Sequence, residues 1–111
     1  MSKRGGIEFL DDIKEVLRRI DEYTENIDYA GFLNDKKTQD AVVRNLQIIG
    51  EAAKNITADF KTKHMTIEWK KIAGLRDKIT HHYFGVNWDI VWDVVKNKVP
   101  ELASRIDKIP E

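Results

Sequence analysis

Between positions 76 and 83 the chain gathers Arg76, Asp77, Lys78, Thr80, His81, His82 and Tyr83, which include two of its three histidines. Histidine titrates near neutrality and arginine stays charged at any physiological pH. Together they suit metal-free cleavage of RNA. His81 would take the proton from a 2′-hydroxyl, and Arg76 would hold the negative charge that develops around phosphorus.

Geometry complicates a shared site. On an unbroken helix Arg76 and Tyr83 fall on nearly the same face, whereas Arg76 and His81 stand about 140° apart. Two devices would close that gap: fraying of the helix after Thr80, and a second subunit bringing its own copy of the segment alongside. Both are expected to act. The following Tyr83-Phe84-Gly85-Val86-Asn87 is a natural helix stop, with Gly85 free to adopt a left-handed conformation.

Other assignments of the same residues stay open. The plainer one is an exposed histidine pair beside an arginine in a surface ion pair. A metal site from His64, His81, His82 and nearby carboxylates is disfavoured, because adjacent histidines on a helix diverge by about 100° and no pair has the i, i+4 spacing. Trp69, Trp88 and Trp92 invite a base-stacking reading. The i, i+4 pair Trp88 and Trp92 more readily packs its helix against a neighbour or a dimer partner. Arg44, Asn45 and Glu51 lie close to an apolar stripe, and are either satisfied within the bundle or face the 76–81 segment as supporting groups. Asp77 is a further supporting candidate that would partly neutralise Arg76.

The elements that must position these groups are helical. Ile7, Leu10, Ile13, Leu17, Ile20 and Ile27 recur mainly at three- and four-residue steps and predict a first helix over 7–27. A connection follows over 28–34, with Phe32 and Leu33 turned inward. Val42, Val43, Leu46, Ile49, Ala52 and Ala53 predict a second helix over about 35–59, with Gly50 allowing close approach. Thr66 reads as the cap of a third helix running to about His81. A fourth, from about Trp88 to Lys108, contains Pro100 and is expected to kink near residue 99. The fold class is all-α: an antiparallel four-helix bundle in a single domain over 1–111.

Composition bounds the function. Nineteen Lys and Arg balance nineteen Asp and Glu, so there is no global basic field for nucleic acid and any RNA contact must be local. There is no cysteine, which removes disulfides, thiolate metal sites and thiol nucleophiles and fits a reducing cytoplasm. No apolar run approaches a membrane span, and no secretory signal is expected at the N-terminus.

Arg76-x4-His81-x-Tyr83 resembles the RX4HXY motif of the HepT-like toxins of the HEPN superfamily. Lys37 to Leu46, Ile48 to Ala53, Trp69 to Asp77 and Tyr83 to Val86 resemble that family as well, in the same order. Two departures are the Asp77-Lys78 pair, where Asn often follows the arginine, and Met65 to Glu68, where prolines are expected. The resemblance implies an all-helical homodimer with Arg76 and His81 of both copies lining a shared cleft. It implies a metal-independent endoribonuclease on mRNA or tRNA without cofactor, acting as the toxin of a type VII toxin-antitoxin system. It further implies a cognate MntA-like nucleotidyltransferase antitoxin that transfers AMP from ATP to Tyr83. The alternative is a non-catalytic helical dimer that binds a nucleotidyltransferase partner or nucleotide; the balanced net charge favours it.

Overall fold

The computed structural model describes residues 6–80 and 85–109, apart from the side chains of Arg76 and Thr80. Helix α1 spans Ile7–Thr24 and α3 spans Lys36–Asn55, with the short α2, Tyr29–Leu33, between them. Then come α4, Ala58–Lys63, α5, Trp69–Ala73, and α6, Leu75–Thr80. The last helical run comprises α7, Trp88–Asp93, a π-helical segment, Val94–Lys98, and α8, Val99–Asp107. No strand of more than an isolated bridge occurs among the described residues, and none of their helices is long and apolar enough to cross a membrane. The all-α class is as the periodicity dictates.

The elements are more finely divided than four. α1 ends at Thr24 rather than Ile27, where the buried Thr24 hydroxyl donates to the Ile20 carbonyl. The Thr24 carbonyl accepts from Ile27 N–H at 3.4 Å and from Lys96 of the last helical run at 3.3 Å. The connection after it is itself a helical turn, because Asp28 accepts from Gly31 N–H at 2.8 Å and caps α2. Phe32 is fully buried, but Leu33 is 42% exposed and does not turn inward.

α3 stops at Asn55, short of Asp59; Ile56 is extended and buried, and Thr57 caps α4 by accepting from Phe60 N–H. Thr66 does not cap the next helix. Glu68 is the N-cap residue of α5 without a side-chain cap bond, while the Thr66 carbonyl accepts from Arg105 at 2.6 Å. The third helix is then interrupted at Gly74, between α5 and α6.

Pro100 leaves its mark, though not as a break at residue 99. The helical run continues through it to Asp107, and the departure from α geometry is the π turn just before it, where Val99 N–H donates to Val94 five residues back. A proline ring collides with the carbonyl four positions earlier and offers it no donor; widening the preceding turn relieves both.

α3 is the hub: α1 lies along it, and α2, α5 and α6 pack on it. Leu10, Ile13, Leu17 and Ile20 of α1 meet Val42, Leu46, Ile49 and Ala53 of α3, with Ile72, Ile79, Val91, Val94 and Ile106 completing the core. The opposite face of α1 is solvated. There Glu15 accepts from Arg18 and Arg19, and Arg18 also reaches Glu22.

Candidate active site

α6 carries Arg76 and Asp77 in its first turn. Ile79, 1% exposed, anchors this helix in the core, and Leu75 packs against it half-buried. Burying one such side chain is worth roughly 1.5–3 kcal/mol, so α6 is fixed mainly by Ile79 and its contact with α3. At its N-terminal end, Lys78 N–H donates to the Gly74 carbonyl at 3.0 Å, bridging the interruption.

α3, which packs directly on α6, carries the supporting candidates Arg44, Asn45 and Glu51. Arg44 and Glu51 are exposed, and Asn45 is 6% exposed. The Asn45 amide donates to the Ala41 carbonyl of its own helix at 2.7 Å, so its burial is satisfied locally. Asp77 is exposed and carries its charge at the N-terminal turn of α6, where the helix dipole favours an anion. His81 and Tyr83 lie outside the described residues, as does His82, and the side chain of Arg76 is likewise not described. Beyond them Gly85 has φ 111°, a conformation that a side chain makes costly.

The base-stacking reading of the tryptophans is resolved by packing. Trp88 and Trp92 clasp Phe32, with ring centroids 5.8 and 5.0 Å away, and Tyr29 lies 5.9 Å from Trp92. Lys96 sits 4.7 Å from the Trp92 ring. These rings hold the last helical run on α2 and are not an open stacking platform. Trp69 is 7% exposed and donates from Nε1 to the His64 carbonyl. His64 itself packs on Phe60, with ring centroids 4.5 Å apart. Among the described residues no three His, Asp or Glu side chains are grouped to hold a metal ion.

Residues 13–109 match the family model described as Ribonuclease HepT-like. The chain is 48% identical over 98% of its length to a Methanocaldococcus jannaschii protein provisionally named an RNase, of which it covers 90%. It is 47% identical over 96% of its length to a Thermococcus cleftensis protein named probable ribonuclease HepT, covering 97% of that chain. A Caldanaerobacter subterraneus protein, also provisionally named an RNase, is 40% identical, with coverage of 91% and 90%. No solved structure matches significantly. The chain belongs to the HepT-like ribonuclease family.

Proposed function

We propose that this protein is a metal-independent endoribonuclease in which Arg76 and His81 are catalytic, and that it acts as the toxin of a toxin-antitoxin pair. The observation that carries this reading is that Arg76-x4-His81-x-Tyr83 falls inside the stretch matched to the HepT-like ribonucleases, with Arg76 on a helix that Ile79 ties to the core.

The chemistry follows from the residue types. Neutral His81 removes the 2′-hydroxyl proton, the 2′-oxygen bonds to phosphorus, and the bond from phosphorus to the 5′-oxygen breaks. A second, protonated histidine returns a proton to the leaving oxygen, leaving a 2′,3′-cyclic phosphate and a free 5′-hydroxyl. In a homodimer the second copy of His81 supplies that acid. Arg76 offsets the extra negative charge on the non-bridging oxygens. Arg44, Asn45, Glu51 and Asp77 tune the segment from α3 and from the first turn of α6.

Tyr83 is the control point. A nucleotidyltransferase antitoxin directs its hydroxyl onto the α-phosphorus of ATP; the bond to the β-phosphate breaks, pyrophosphate leaves, and AMP remains on the tyrosine. The modification places a bulky anion two residues from His81, where it competes with RNA for Arg76.

Induced expression of the parent chain is expected to arrest growth and fragment cellular RNA, while Arg76→Ala and His81→Ala do neither. Tyr83→Phe is expected to stay toxic when a nucleotidyltransferase that rescues the parent is co-expressed. If all the variants and the parent are harmless and RNA stays intact, the chain is the non-catalytic binding module that its balanced charge also fits.

A further inference from the structure

Away from the core contacts of α6 lies a cavity of about 430 Å³ between α1, α3, α5, α6 and the last helical run. That volume is within the roughly 300–1,000 Å³ of small-molecule sites. Its floor is apolar: Leu17, Ile49, Ile72, Leu75, Val94 and Leu102. Its rim is charged, with Lys71, Lys78, Lys98 and Arg105 against Glu68 and Glu101.

Both carboxylates are already engaged. Lys71 lies 2.9 Å from Glu68, and Arg105 lies 3.3 Å from Glu101 while also donating to the Thr66 carbonyl. The Lys71 ammonium holds the Glu68 carboxyl below its ordinary pKa, so the rim acid remains ionised and paired. Four cations face two carboxylates on the rim, and Lys78 and Lys98 are the two that do not close an ion pair within 4 Å among the described residues, although Lys98 is near enough to act on the Glu68 charge. The π turn before Pro100 forms part of the lining. Val94 at its start is in the floor and Lys98 at its end is on the rim, so the widened turn shapes one wall.

We propose that this cavity binds a small amphipathic monoanion: a flat apolar body on the Leu17, Ile72 and Leu102 floor, with one carboxylate, sulfonate or phosphate held by Lys78 and Lys98. Leu75 and Lys78 belong to the helix that carries Arg76, so the occupant touches α6 directly. Binding itself is independent of whether the chain cleaves RNA.

The probe is 1-anilinonaphthalene-8-sulfonate, an aromatic body with a single sulfonate, titrated into the folded chain and followed by fluorescence. Saturable binding at one site per chain is expected, weakened about tenfold or more by Lys78→Glu with Lys98→Glu and displaced by decanoate. Leu102→Trp, which fills the cavity, is expected to abolish it; melting curves confirm that each variant is folded. Because Lys78 and Lys98 are exposed, the charge-reversed variant keeps the test decisive if Leu102→Trp fails to fold. Binding that ignores the charge reversal overturns the proposal. So does a folded parent that binds no probe while Leu102→Trp breaks its self-association, which would make the groove a subunit contact.

Discussion

Asn45 and Gly85 separate what a residue does for the fold from what it does for the site. Asn45 is buried, and its amide donates to a carbonyl of its own helix. Asn45→Ala should therefore change stability by no more than about 1 kcal/mol, the lost bond being offset by the better helix propensity of alanine. A thermal melt checks this, and a parallel RNA cleavage assay reads any supporting role separately. Gly85 is the reverse case. At φ 111° a Cβ is strained, so Gly85→Ala should cost about 1–2 kcal/mol and lower the melting temperature by several degrees even though none of the described residues crowds the position. The sequence marks both residues for attention, Gly85 as a left-handed stop and Asn45 as a polar group on an apolar stripe. It cannot tell that the Asn45 amide folds back on α3, because that depends on a rotamer set by what packs above it.

At the scale of the elements, apolar periodicity locates the long helices and polar side chains locate their ends. The first helix is legible from Ile7 to Ile20, but its end at Thr24 is not, where the carbonyl takes bonds from Ile27 N–H and from Lys96, distant in sequence. Asp28 and Asp35 cap α2 and α3, which apolar periodicity alone does not mark; Asp35 accepts from the hydroxyl and the backbone N–H of Thr38, which hold its carboxyl below the ordinary range. The π turn before Pro100 was legible only as a disturbance, since a proline states that a carbonyl loses its donor and not how the chain will widen to accommodate it.

The exposed face of α1 carries its own pH prediction. Arg18, then Arg19, lower the Glu15 carboxyl from 4.5 to about 2. A carboxyl depressed by folding contributes stability above its unfolded pKa, and that contribution is lost as pH falls through the folded value. Melts of the parent and Glu15→Gln should accordingly differ at pH 7, converge between about 4.5 and about 2, and differ less in high salt, because the pair is solvent-exposed.

In the whole molecule, Phe32 is the pin that joins α2 to the last helical run through Trp88 and Trp92. Phe32→Ala removes a fully buried ring and should cost about 3–5 kcal/mol, with a shift in tryptophan emission as both indoles gain water. Equal melting temperatures for the two proteins would contradict that role. The proposed catalytic segment is marked in the sequence by its residue types, because Arg76, His81 and Tyr83 are close together; the cavity behind α6 is not, because its walls come from separate elements that only the fold brings together.

The central claim is that His81 and Arg76 cleave RNA without metal. The direct measurement is cleavage of a defined RNA by purified protein in excess chelator, with the product ends identified. The account predicts 2′,3′-cyclic phosphate ends from the parent and a rate loss of roughly 10²–10⁴ for His81→Ala, in protein that melts like the parent. Undiminished cleavage by His81→Ala, or activity that disappears with the metal, would contradict it.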